Sequence, residues 1–133
     1  MARPTDALLV DDEAHVRAYL RLLLREVGIT TCLEADNGLT AVSMVQQHNP
    51  GLVLLDINLP QLNGLEVLAK LRALGLDVPV IMVTSQSAIG GVNEAVRLGA
   101  SGYLLKHIPK EQAVAALKEV LESLDEDADA EGG

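Results

Sequence analysis

The sequence contains no tryptophan and no phenylalanine, and Tyr19 and Tyr103 are its only aromatic residues. Any core must therefore be aliphatic, and 24 leucines and 14 valines are there to build it. Cysteine is almost absent as well. Cys32 stands alone, which excludes an intramolecular disulfide and a cysteine-rich zinc site and fits a reducing compartment. Basic residues number 10 against 19 acidic ones, for a net charge of -9 and a sequence pI near 4.6. Phosphate contacts need clustered Lys and Arg, so this balance argues against direct nucleic-acid binding and against an anionic membrane surface. Five of the acidic residues (Asp125, Glu126, Asp127, Asp129 and Glu131) sit at the end of the chain, and the body is only mildly acidic. No apolar run approaches the ~18 residues of a membrane span. Ala7 to Val10 is too short for the ~7 to 15 residue core of a signal peptide. The expected location is the cytoplasm, with no membrane partner.

What remains is ordinary globular chemistry. At 133 residues, 49% apolar and 22% charged, the chain suits one compact domain. Five apolar runs of strand length occur at Ala7 to Val10, Ile29 to Leu33, Leu52 to Leu55, Val80 to Val83 and Gly102 to Leu105. Between them lie segments of helical character: Ala14 to Val27, Leu39 to His48, Leu65 to Leu74 and Ile89 to Leu98, with a fifth carrying Val114, Leu117, Leu121 and Leu124 on one face. Gly28, Asn49-Pro50, Gly75 and Gly99 are the stop signals. Strand and helix alternating five times, with short loops, predict an α/β fold: an open, doubly wound parallel sheet with helices on both faces. From Asp125 the composition turns acidic and ends in Glu-Gly-Gly, so residues 1–124 read as the domain and 125–133 as a solvated tail or the start of a linker.

Four of the strand runs stop abruptly at a polar residue: Val10 at Asp11-Asp12, Leu55 at Asp56, Val83 at Thr84 and Leu105 at Lys106. In an open parallel sheet the carboxyl ends of the strands share one edge, and ligands bind in the crevice outside it. Taken singly, an Asp or Thr after a strand is a helix cap or turn former, and a Lys is a solvated side chain. Together they exceed what capping needs. Two carboxylates about 4 Å apart repel by roughly 4 kcal/mol at an effective dielectric of 20, so three in one place require a cation or shifted pKa values. Few carboxylates with open positions suit Mg2+. A cation, an ammonium and a hydroxyl around one carboxylate would stabilise a phosphoryl group arriving there, with Asp56 as the natural acceptor.

At this point the sequence resembles a response-regulator receiver domain (CheY-like) of two-component signalling, over about residues 5–124. The matching strings are Leu9-Val10-Asp11-Asp12-Glu13, Leu55-Asp56-Ile57-Asn58-Leu59-Pro60 with Asn63-Gly64, Val83-Thr84-Ser85, and Gly99 through Lys106. The intervals of 44, 28 and 22 residues separating Asp12, Asp56, Thr84 and Lys106 also match. The resemblance implies a flavodoxin-like (βα)5 fold with strand order 2-1-3-4-5. It implies that Asp56 takes phosphate from a sensor histidine kinase or histidine phosphotransferase. Asp11, Asp12, Asp56 and the backbone carbonyl of Asn58 would hold Mg2+, and Thr84 and Lys106 would bind phosphoryl oxygens. Thr84 and Tyr103 would form the switch, with an output partner on the face around Tyr103; homodimerisation is left open. Gln86 and Asn58 would flank the path of a hydrolytic water.

The family usually has Pro directly after its lysine, whereas this chain reads Lys106-His107-Ile108-Pro109; a trans Lys106-His107 peptide is expected, because a non-proline cis bond costs about 2.5 to 4 kcal/mol. Two other functions compete with a stand-alone switch. One is the amino-terminal receiver of a helix-turn-helix transcription factor. The other is a Mg2+-dependent phosphatase of haloacid-dehalogenase type, which needs a second Asp where this chain has Asn58. Scattered His15, His48 and His107 do not make a metal site, Gly90-Gly91 is not a phosphate-binding loop, and no Ser/His/Asp triad can be read.

Overall fold

A computed structural model describes residues 4–85 and 92–132, with Val92 and 125–132 described by backbone alone. Strands β1 (Asp6–Val10), β2 (Thr31–Ala35), β3 (Val53–Asp56), β4 (Val80–Thr84) and β5 (Gly102–Leu105) form one parallel sheet. Between and after them run α1 (Ala14–Glu26), α2 (Gly38–His48), α3 (Gly64–Ala73), α4 (Val92–Arg97) and α5 (Lys110–Gly132). The order across the sheet is β2-β1-β3-β4-β5, as the resemblance implies. The chain therefore winds one way from β1 to β2 and the other way from β3 to β5, which opens a crevice at the carboxyl ends of β1 and β3.

Side-chain alternation divides the core in two. Ala7, Leu9, Leu52, Leu54, Ile81, Val83 and Leu104 pack on α1 and α5. Leu8, Val10, Val53, Leu55, Val80 and Met82 pack on α2, α3 and Ala95 of α4. Both faces of the central strands are covered, which is why β1, β3 and β4 read as unbroken apolar runs rather than alternating ones.

Local chemistry sets the helix ends. Asn37 opens α2 by accepting from the Thr40 N–H at 2.9 Å. Asn63 and Glu66 form a reciprocal capping box on α3, at 2.9 and 3.1 Å. At the other end of α1, Gly28 (φ 89°) lets its own N–H reach Arg25 O while the Ile29 N–H reaches Leu24 O. That is the Schellman pattern, and it recurs after α3 and α4. It also corrects one expectation. The apolar run at Ile29 to Leu33 is not the strand, because Ile29 is buried as the hydrophobic residue that closes α1, and β2 starts at Thr31. Helix α5 continues through position 125, so the change of composition there is not a helix end. The expected helical residues 89–91 lie outside the described ones. Among the described residues no helix is long and apolar enough to cross a membrane.

One side chain ties the loops at the amino end of the sheet together. Arg72, in the last turn of α3, donates to the carbonyls of Leu76, Val78, Leu98 and Gly99 at 2.8 to 3.1 Å. A lysine cannot reproduce that fork. Arg72→Lys is expected to cost about 2 kcal/mol of stability, read as a lower urea midpoint with an unchanged slope.

Candidate functional site

Asp11 follows β1, Asp56 ends β3, and Lys106 follows β5, all at the carboxyl edge of the sheet. In strand parity the three continue the rows of Leu9, Leu54 and Leu104, which face α1 and α5. The site is buried: Asp11 is 0% and Asp56 1% exposed. Lys106 Nζ lies 3.1 Å from Asp11 Oδ2 and 3.1 Å from Asp56 Oδ2. The contact with Asp56 is a hydrogen bond. That with Asp11 is an ion pair, and Asp11 Oδ2 is a buried oxygen without a hydrogen-bond partner among the described residues. Asp11 Oδ1 accepts from the Glu13 N–H at 2.9 Å, and Asp56 Oδ1 from the Asn58 N–H at 3.2 Å. Exposed Asp12 completes the group: one carboxylate oxygen from each of Asp11, Asp12 and Asp56 lies within 4.8 Å of the others.

Burial, and then the charge of Asp11, push the Asp56 carboxyl up to about 6 against the opposing pull of Lys106. Burial disfavours the Lys106 charge, but the carboxylates of Asp11 and Asp56 outweigh it and hold its pKa above the usual lysine range. Packing behind the acceptor strand is tight. A Cβ on Gly64 would meet the Asp56 carbonyl oxygen at 2.2 Å, so only glycine lets α3 start this close to the end of β3.

Thr84 is fully buried at the end of β4, but in phase with Met82 on the opposite face of the sheet. Its hydroxyl donates to the Ser85 carbonyl at 3.0 Å and is not among the groups that meet at Lys106. Register sets Thr84 opposite Leu105, and Tyr103 opposite Met82, so Thr84 and Tyr103 are diagonal rather than direct neighbours. The Tyr103 ring is exposed. Gln86 lies outside the described residues. No peptide among the described residues is cis, in keeping with the expected trans Lys106-His107 bond, and His107 takes φ 63°. Sequence reasoning passed over Arg17, whose guanidinium donates to the Asp11 carbonyl at 2.7 Å. Its only sequence signal was a cation early in a helix that has no acidic first-turn residue. A cavity of about 440 Å³ opens beside Lys106 between α1 and the segment after β5, with Val16, Leu20, Leu104 and Ile108 in its wall.

A doubly wound sheet with buried acids and a lysine at its switch edge defines a class, and the comparisons with known proteins agree. Residues 7–118 match the response regulator receiver domain. The chain is 36% identical over 115 residues to the nitrate/nitrite response regulator NarL of Escherichia coli, covering 86% of this chain and 53% of NarL. It is similar to a DNA-binding response regulator of the LuxR family from Staphylococcus aureus (TM-score 0.76, 32% identity, 87% of this chain and 98% of that one). The chemotaxis response regulator CheY4 of Vibrio cholerae superposes with a TM-score of 0.78 at 25% identity, over 89% of this chain and 99% of that one. The chain belongs to the response regulator receiver domain family and is a signalling switch module. It spans about half the length of the curated relatives it matches.

Two outcomes follow from the geometry. Because folding raises the Asp56 pKa, the neutral carboxyl is favoured in the fold. Stability contributed by the retained proton is present below pH ~4 and lost as pH rises through about 6. Without divalent cations, Asp56→Asn should therefore be more stable than wild type by ~1 to 3 kcal/mol at pH 7.5, the gap narrowing at pH 5, in urea titrations with a chelator. At position 107 a left-handed residue costs about 1 to 2 kcal/mol unless it is glycine. His107→Gly should raise the thermal midpoint, and His107→Pro should lower it, because proline holds φ near -65°.

Proposed function

We propose that this receiver accepts a phosphoryl group on Asp56 from a phosphohistidine donor and answers by changing what binds the face around Tyr103. The observation that carries the reading is the Lys106 ammonium held 3.1 Å from a buried oxygen of both Asp56 and Asp11, the Asp11 oxygen having no hydrogen-bond partner among the described residues. Asp56 is the carboxylate at the centre of that group, and at pH 7 it is mostly ionised. One of its oxygens forms the new P–O bond as the donor's P–N bond breaks, and the bonding pair stays on the departing imidazole nitrogen. Lys106 stabilises charge on the phosphoryl oxygens, and the Asn58 N–H fixes the carboxylate plane. Thr84 would join by turning its hydroxyl from the Ser85 carbonyl toward the phosphoryl group. That rotation frees space on the face it shares with Tyr103, and an active arrangement that binds phosphate better would then be populated.

The acidic group fits a hard divalent cation: the donors are all oxygen, Asp11 Oδ2 has the Lys106 ammonium beside it but no hydrogen-bond partner among the described residues, and exposed Asp12 leaves an open side. Asp11, Asp12, Asp56 and the Asn58 carbonyl would hold Mg2+. When bound, the ion supplies positive charge that offsets repulsion between the carboxylates and an incoming phosphoryl dianion. A sensor histidine kinase or histidine phosphotransferase is the proposed donor, and the cytoplasm is the proposed compartment. We read residues 1–124 as the receiver and 125–133 as an acidic tail or the start of a linker. A second reading, the receiver part of a DNA-binding regulator, is favoured by the coverage of only about half of its curated relatives.

Incubating the chain with a small phosphodonor, with Mg2+ or with a chelator, followed by intact mass and peptide mapping, tests the proposal. One phosphoryl group on Asp56, dependent on Mg2+ and lost in Asp56→Asn, is the expected result. Labelling that persists in that variant, or that maps mainly to Asp11 or Asp12, would overturn it.

A further inference from the structure

Helix α1 borders the acidic group, and its start lacks the side-chain cap that opens α2 and α3. Glu13 at its N-cap makes no side-chain cap bond, no acidic residue occupies the first turn, and the fourth helical residue is Arg17. A cation near the positive end of the helix dipole is unfavourable for the helix itself. Its contacts supply another reason for its presence. Arg17 Nη1 donates to the Asp11 carbonyl at 2.7 Å while Nε donates to Glu34 Oε1 at 2.7 Å. The second oxygen of Glu34 pairs with Arg21, one turn further along α1. Hydrogen bonds from Arg17 and then Arg21 hold the Glu34 carboxyl below the usual carboxylate range. Glu34 is on β2 opposite Leu9, two residues before Asp11, so the clamp runs from β2 through α1 to the end of β1.

The consequence appears at Asp11. Its N–H donates to the Ala35 carbonyl, its carbonyl accepts from Arg17, and its Oδ1 accepts from the Glu13 N–H. Oδ2 has no hydrogen bond among the described residues; it pairs with the Lys106 ammonium at 3.1 Å, on the side of the acidic group. We infer that Arg17 is a positioning residue: anchored by Glu34, it fixes the Asp11 backbone so that Oδ2 is presented to the divalent cation. This rests on the reading of Asp11, Asp12 and Asp56 as that cation's site.

Positioning and plain electrostatics have opposite signs here. Removing a positive charge beside three carboxylates would tighten cation binding, whereas losing the clamp on Asp11 loosens it. Mg2+ titration of the 15N-labelled chain, followed by amide NMR, separates them. Arg17→Ala should weaken Mg2+ binding about tenfold, the range found for outer-shell partners of metal ligands. Arg17→Lys keeps the charge but not the fork and should also bind more weakly than wild type. It carries the test if the alanine variant does not fold. Glu34→Gln should weaken binding in the wild-type background and add nothing to Arg17→Ala. In metal-free spectra the Glu13 amide should lose protection from exchange in both Arg17 variants. Binding in Arg17→Ala equal to or tighter than wild type, or in Arg17→Lys equal to wild type, would overturn the inference while leaving the cation site standing. Wild type that does not bind Mg2+ at millimolar concentration would instead bring down the underlying site and the inference with it.

Discussion

Two buried carboxylates at the ends of neighbouring strands repel each other, and the rest of this molecule is arranged around that fact. Asp11 and Asp56 lie where β1 and β3 finish, in a region closed to solvent. A pair of like charges in such a place is tolerated only with a counter-charge. Lys106 is that counter-charge, and its origin on β5 means the sheet must be complete before the pair is compensated. Neighbouring strands are about 4.8 Å apart, so the ammonium has to cross the end of β4 to reach β3 and β1. Thr84, at that crossing, turns its side chain to the other face by strand parity, which leaves the path open.

Compensation is partial. Asp56 is pushed up to about 6 while Lys106 is held charged, so the fold stores unfavourable charge at one point. A ligand that brings charge of the opposite sign relieves it, and linkage then ties occupancy of the site to stability. The two-sided core divides the site's residues between its faces. Asp56 and Lys106 share the α1/α5 side, while Thr84 shares the face of Tyr103, so the acceptor and the hydroxyl at the end of β4 lie on opposite faces of the sheet.

Rigid supports surround this stressed point. Gly64 lets α3 approach the Asp56 carbonyl, Arg72 gathers four loop carbonyls at the far end of the sheet, and Arg17 with Glu34 binds α1 to β2 over Asp11. Each is a close packing or charge-assisted contact that joins one element to the next. Together they hold the strand ends in register while the crevice carries the charge.

Much of this was legible in the sequence because it is local. Apolar period, glycine and asparagine stops, and the polar residue closing each strand run are properties of a few consecutive residues, and they led to the fold class, four of the five strands to within a residue or so, and the acidic group with its lysine. The two-residue error at β2 has the same origin. An apolar Ile29 looks the same whether it pairs in a sheet or closes a helix, and only its bond back to Leu24 decides. Tertiary structure alone settled that Lys106 bridges Asp11 and Asp56, that the Thr84 hydroxyl turns to Ser85, that Tyr103 is diagonal to Thr84, and that Arg17 grips the Asp11 carbonyl. Apart from the Thr84 bond to its neighbour, which is a choice of rotamer set by the packing around it, those facts depend on which side chains the strand register and helix docking bring face to face, and no single segment carries that information.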